Sequence, residues 1–325
     1  MKRKFKILDC TLRDGGYVID WNFKNKNIQS IMNNLVQAKI DFIECGFLKN
    51  CNYISDKTFF SSIEDLKKLI FSDKTYTLMI NFGEYEIENF SACEDKNIKI
   101  RVAFKKHQQA EALEYIEKLV NLGWDVFANP MSSSTYSKDE LENLILKIND
   151  IKPYGITIVD TLGNMYENQV IDIFQFIDNI LNKEIALGFH SHNSMQLSFS
   201  NTKALLSLNF DREIIIDSCL YGMGRGAGNL CTELITKYLN DNLQTDYKIS
   251  QLLRTIDNIL KPIYDKKTWG YSTLYYIAAI HGCHPNYATY LGEKSLSNEE
   301  IERIMSLIPQ EKRTVFDKDF IKTLA

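Results

Sequence analysis

The chain has 325 residues, 45% of them hydrophobic and 25% charged, and a formal net charge of −4. That length suits one large α/β barrel with an appendage, or two ordinary domains, and the charge balance shows no basic patch or stripe of the kind a nucleic-acid interface needs. No apolar run reaches the ~20 residues of a membrane span, and no signal-peptide-like apolar stretch follows the basic Met1-Lys2-Arg3-Lys4.

In chain order, strand-like runs fall at Phe5–Asp9, Asp41–Phe47, Tyr76–Phe82, Ile98–Phe104, Trp124–Asn129, Gly155–Asp160, Ile185–His190 and Ile214–Leu220. Helix-like stretches alternate with them at Asn27–Lys39, Ser61–Phe71, Gln108–Leu122, Lys138–Ile148, Asn168–Asn182, Ser194–Leu208 and Leu230–Asn240. The strand runs are continuous apolar runs with few breaks, not alternating ones, which predicts strands covered on both faces as in a parallel sheet. Eight strand–helix units predict an α/β fold, a (β/α)8 TIM barrel. A doubly wound open sheet is the alternative. The third crossover, around Glu84–Asp95, carries the weakest helical pattern. After Asp241 only helical patterns follow, at Ile249–Leu260, Leu274–Ile280 and Asn298–Ser306. The expected division is a barrel over residues 1–243 and a small helical C-terminal domain over 244–325. Seven scattered cysteines with no C-x-x-C spacing predict reduced thiols and a cytoplasmic protein.

Functional side chains of a parallel barrel gather where its strands end. Arg13-Asp14 follows the first run, Glu44 lies on the second, Asn81 near the end of the third and Arg101 on the fourth. Asp160-Thr161 ends the sixth, His190-Ser191-His192 the seventh, and the eighth leads into "GMGRGAGN", Gly222 to Asn229. Strand residues two apart point the same way, so His190 and His192 can reach one metal ion together. Asp14 would complete a facial set of two nitrogens and one oxygen. The same histidines could instead be polar loop residues capping the next helix. Arg13 offers a fixed fork of donors suited to a carboxylate or enolate, although most such Arg–Asp pairs are solvated surface charges. Gly15 and Gly16 would permit a sharp turn beside it. The glycine-rich segment also matches the dinucleotide pattern G-x-G-x-x-G/A, yet the strands stop after one further helix. Asn229 reads either as a helix N-cap or as a further oxygen ligand. Glu44 and Asp160 read as partners that orient Arg13 or a ligating histidine. The aromatic stretch Trp269 to Tyr276 reads mainly as core, with one tyrosine hydroxyl free to lean over the barrel mouth.

Four motifs in order, "LRDGG", "DTLGN", "GFHSHNS" and "GMGRGAGN", resemble those of the DRE-TIM metallolyases (the HMG-CoA lyase-like superfamily) over about Lys6 to Asn240. The nearest branch is that of the 4-hydroxy-2-oxovalerate aldolases and class II pyruvate aldolases. The resemblance implies a divalent metal held by Asp14, His190 and His192, with Asn229 as an additional ligand; Mn²⁺ leads, with Co²⁺, Zn²⁺ or Mg²⁺ as alternatives. It implies catalytic roles for Arg13, at the enolate, and Tyr271, and a substrate-carboxylate contact from Thr161; position at the strand ends adds Tyr17 and Glu44 as catalytic candidates and Arg13, Asn81 and Arg101 as substrate contacts. Tyr17 departs from the pattern: relatives place Gln or Asn there in the acyl-CoA branch, and a His read as the general base in the aldolases. An ordinary tyrosine, with a pKa of about 10, is a weak base near neutrality, so the base is left open. The implied activity is a carbon–carbon lyase that cleaves 4-hydroxy-2-oxo acids to pyruvate and an aldehyde, sugar-like in one reading, or condenses them. The alternatives are an acyl-CoA-dependent Claisen synthase or lyase, and a non-catalytic metal-bearing barrel that binds a partner enzyme. A homodimer and an aldehyde-processing partner enzyme are further expectations.

Overall fold

The computed structural model describes residues 4–324, so the basic Met1-Lys2-Arg3 start lies outside the described residues. Eight parallel strands form the barrel: β1 Phe5–Asp9, β2 Phe42–Leu48, β3 Thr75–Asn81, β4 Ile98–Phe104, β5 Asp125–Pro130, β6 Gly155–Asp160, β7 Ala186–Ser191 and β8 Ile214–Ser218. Each pairs with its neighbours in chain order, and β1 pairs with both β2 (Leu8 opposite Phe42) and β8 (Ile7 opposite Ile216), which closes the ring. The predicted TIM barrel is therefore the observed fold, and the open doubly wound sheet is excluded. Strands β2, β4, β6, β7 and β8 are buried along their whole length. That is why their sequences are mostly apolar without alternation: the outer face meets helices and the inner face fills the barrel, where the few charged residues pair with one another.

The helices follow the expected stretches closely where the apolar stripe is long. Asn25–Gln37 buries Ile28, Ile31, Met32 and Leu35, a stripe at helical spacing. Lys138–Ile151 starts at a capping box in which Ser137 and Glu140 satisfy each other's backbone donors. Two crossovers carry little helix. The second keeps only Ile63–Lys67 as helix, with a two-residue strand at Phe59–Phe60 alongside the end of β2. The third holds only a 3-10 turn at Ile87–Asn89, in keeping with its weak pattern.

Beyond β8 the chain is helical. Ile249–Thr255 runs into a π-helical turn at Ile256–Leu260, and Thr273–Ile280, Pro285–Gly292 and Asn298–Ser306 follow. Leu252, Ile256, Leu260 and Trp269 join the hydrophobic cluster of the barrel. Cys283, Tyr287, Leu291, Ile304 and Ile321 build a second cluster. The tail also touches the barrel mouth, where Asn164 Nδ2 donates to the Ala279 carbonyl (3.1 Å). All seven cysteines are free thiols. Among the described residues no helix is long and apolar enough to cross a membrane.

Candidate active site

The chain leaves β1 in a tight turn in which the Arg13 and Asp14 amides both donate to the Cys10 carbonyl (3.1 and 2.8 Å). This lifts Arg13 and Asp14 to the C-terminal mouth. Gly15 and Gly16 serve there by their size. Gly15 has ordinary helical angles (φ −58°, ψ −26°), but a Cβ on it would stand 2.3 Å from the Thr11 carbonyl oxygen, and one on Gly16 would stand 2.0 Å from the Trp21 indole. Trp21 Nε1 in turn donates to the Arg13 carbonyl (2.7 Å). The turn is as sharp as expected, and close packing is what requires the glycines.

Asp14, His190 and His192 come together: one ligand atom from each lies within 4.8 Å of the others, and all three residues are buried. His190 Nδ1 meets the Asp217 carboxylate (3.0 Å), while its Nε2 lies 3.7 Å from Asp14 Oδ2. His192 Nδ1 faces the Gly228 carbonyl (3.3 Å), which can only accept, so this nitrogen carries the proton. Each ring therefore has its outer nitrogen engaged and its Nε2 turned to the common space, the arrangement that orients histidine ligands in metal sites. Asn229 Nδ2 donates to Asp14 Oδ1 (3.0 Å), leaving Asn229 Oδ1 buried without a hydrogen-bond partner. Such an orphaned oxygen asks for a cation. Two imidazole nitrogens, a carboxylate and this amide oxygen fit a divalent ion. Gly224 makes the approach possible: a Cβ there would stand 2.0 Å from Asn229 Nδ2 and 2.8 Å from Asp14 Oδ1.

Beneath this group runs a buried charge network. Arg13 Nε donates to Glu44 Oε2 (2.6 Å) and its Nη1 pairs with Asp14. Arg101 Nη1 reaches Glu44 Oε1 (2.9 Å) and its Nη2 reaches Asp217 Oδ2 (2.5 Å). Asn129, at the end of β5, accepts from Arg101 in the amide orientation that satisfies its neighbours (2.9 Å). Burial would make His190 harder to protonate, but its contacts with Asp217 and Cys10 win and raise it to about 9. Burial likewise pulls His192 down, to about 3, against the pull of Asp14. Asp14 is held well below the usual carboxylate range: burial would raise it, and Arg13, His192 and His190 overcome that. Without metal, three cations (Arg13, Arg101 and protonated His190) face three carboxylates (Asp14, Glu44 and Asp217).

The His190 shift carries a testable consequence. A raised pKa means that the metal-free fold gains stability fully present below pH ~6.5 and lost as pH rises through about 9. A metal ion must displace that proton, so the apparent affinity for Mn²⁺ is expected to weaken about tenfold per pH unit below 9. Calorimetric titrations between pH 6 and 9 measure this; an affinity flat with pH would remove the His190–metal assignment.

A small cavity of about 50 Å³ opens above the group. Arg13, Tyr17, Asn81, Thr161 and both histidines line it, as their positions in the sequence suggest, together with Phe47, Met79, Met131 and Val159. Thr161 Oγ1 accepts from the Ser132 amide (2.9 Å), so its own proton is free to point elsewhere. Asn81 Nδ2 donates to Glu84 (3.2 Å). Three expectations are corrected. Arg101 is fully buried between Glu44 and Asp217 and does not line the cavity, so it is not placed to touch substrate. Glu44 is equally buried and does not line the cavity, so it is not placed as a catalytic group; it is the carboxylate that both arginines share, the orienting partner of Arg13 that its strand position predicts. Tyr271 is half exposed and absent from the cavity wall. Asp160 holds the turn after β6, accepting from the Asn164 and Met165 amides (3.2 Å each); burial outweighs those bonds and raises it to about 6. Sequence reasoning passed over Asp217, Asn129 and Arg225, the last two of which also line the cavity.

A closed parallel barrel with two histidines and an aspartate converging at its C-terminal mouth defines a narrow class of proteins. The chain belongs to the HMGL-like family, whose profile matches residues 4–259, as the four motifs implied. It is 24% identical over 273 residues to a 4-hydroxy-2-oxovalerate aldolase of Geobacillus genomosp. 3, covering 81% of this chain and 79% of that one. Its fold matches the N-terminal domain of a candidate aldolase from Bacteroides vulgatus with a TM-score of 0.75 at 25% identity, over 89% of this chain and 97% of the other. It also matches an HMG-CoA lyase from Brucella melitensis in fold, with a TM-score of 0.62 at 15% identity, over 77% and 95% of the two chains.

Proposed function

We propose that the protein is a divalent-metal-dependent lyase, an aldolase that cleaves or forms 4-hydroxy-2-oxo acids with pyruvate as one partner. The observation that carries this reading is the convergence of Asp14, His190 and His192 beside the buried Arg13 guanidinium. The proposed ligands are those three residues with Asn229, and Mn²⁺ is the first choice. The bound ion would supply Lewis-acid stabilisation of the negative charge that develops on the ketone oxygen of a pyruvate enolate.

The chain's own groups do the rest. Glu44 and Asp14 occupy Arg13 Nε and Nη1, so Arg13 is locked and its remaining amino group is a preorganised donor for an enolate oxygen. The free Thr161 proton suits the substrate carboxylate. Phe47, Met79, Met131 and Val159 give the cavity an apolar side, which excludes water from the reacting carbons. Charge supports the same reading: when a dication replaces the His190 proton, the balanced network gains one positive charge, the complement of one carboxylate.

The test is cleavage of 4-hydroxy-2-oxovalerate, with released pyruvate read by coupled reduction. Release that requires added metal is the expected result. Thiol release from acetyl-CoA with a 2-oxo acid, in place of cleavage, would move the protein to the Claisen branch.

A further inference from the structure

The buried arginines of this protein are neutralised by carboxylates: Arg13 by Glu44 and Asp14, Arg101 by Glu44 and Asp217, Arg212 by Asp178. Arg225 is the exception at the site. It lines the same cavity as Arg13, yet among the described residues no carboxylate forms an ion pair with its guanidinium. Its Nε is buried without a hydrogen-bond partner. Only its backbone amide meets Asp14 (3.1 Å), whose carboxylate already serves Arg13 and Asn229.

What holds the guanidinium is an aromatic face. It lies over the Tyr17 ring at 5.2 Å from the centroid, and Tyr17 in turn packs edge-on against Trp21 at 4.6 Å. A cation–π contact positions a guanidinium while leaving its N–H donors free for an anion. Lys105 stands just past the end of β4 and has no ion pair among the described residues. The tail adds His284, pulled down to about 3 by burial and then by Arg225, His192 and Lys105, so it does not protonate to compete. This part of the mouth therefore keeps positive charge that one pyruvate carboxylate does not use.

We propose that Arg225 is the specificity-determining residue for the second substrate: it binds an anionic group, carboxylate or phosphate, at the far end of the carbonyl partner that condenses with pyruvate. Tyr17 is its platform. The inference rests on the aldolase reading above.

The experiment compares kcat/KM for condensation of pyruvate by the Mn²⁺-loaded full chain with three aldehydes: succinate semialdehyde, glyceraldehyde 3-phosphate and neutral butyraldehyde. One charged hydrogen-bonded contact corresponds to about 10–100-fold. The wild-type protein is expected to prefer one anionic aldehyde over the neutral one by that factor, and the preferred one tells carboxylate from phosphate. In Arg225→Met the ratio should fall towards one, and Arg225→Lys should recover part of it. Tyr17→Phe should keep the ratio and Tyr17→Leu lower it. A wild-type ratio near one, or a ratio that survives Arg225→Met, overturns the assignment. Pyruvate C3 proton exchange by the wild-type protein is followed in parallel. Exchange without anion preference sinks the Arg225 assignment alone; no exchange sinks the aldolase reading and this inference with it.

Discussion

The Asp14→Asn protein is expected to bind Mn²⁺ at least about a hundredfold more weakly than wild type, because loss even of an outer partner of a metal ligand typically costs 10–100-fold. The change is nearly isosteric, so the turn from Cys10 to Asp14 should persist. What it removes is, among the described residues, the one carboxylate within reach of both His190 and His192. It also removes the anion that meets Arg13 Nη1 and the Asn229 amide. Pyruvate turnover should fall with the metal. Calorimetry separates the two: a variant that binds Mn²⁺ normally but fails to turn over would leave Asp14 a catalytic group and not a ligand.

The second large effect is on stability. Glu44 is fully buried and takes one guanidinium on each oxygen, Arg13 on Oε2 and Arg101 on Oε1. Glu44→Gln keeps the shape but removes the charge, leaving two buried cations with only Asp14 and Asp217. Breaking a buried pair by neutralising one partner costs about 3–5 kcal/mol. Equilibrium urea unfolding of the metal-free protein at pH 7 should show a loss of that size. A loss below about 1 kcal/mol, the scale of an exposed pair, would mean that the network is solvated and that Arg13 is not held as described.

The barrel was legible because its strands are buried on both faces and so spell themselves as continuous apolar runs; β1, β4 and β6 occupy the residues their runs predict. His190 and His192 were legible because a two-residue spacing at a strand end has a direct geometric meaning. Arg101 was misjudged by depth. Arg101 is the fourth residue of β4, three short of its end, so its Cα lies about 10 Å below the mouth at the rise of a strand. Side chains at that depth fill the barrel. The same logic would have found Asp217, an acid inside the apolar run "IIIDSCL", whose partners had to be other buried groups. Tyr271 and Arg225 sit outside strands, where no periodicity tells which way a side chain turns. Arg225 was hidden by its glycines, which drew attention to the backbone.

The central claim, a metal-assisted pyruvate enolate at Asp14, His190, His192 and Arg13, is tested most directly by proton NMR of pyruvate in D₂O. With the Mn²⁺-loaded protein at catalytic concentration, quenched samples freed of metal should show the methyl signal disappearing as C3 protons exchange. Neither the metal-free protein nor Asp14→Asn should do this. A methyl signal that persists with every divalent metal tried would contradict the account.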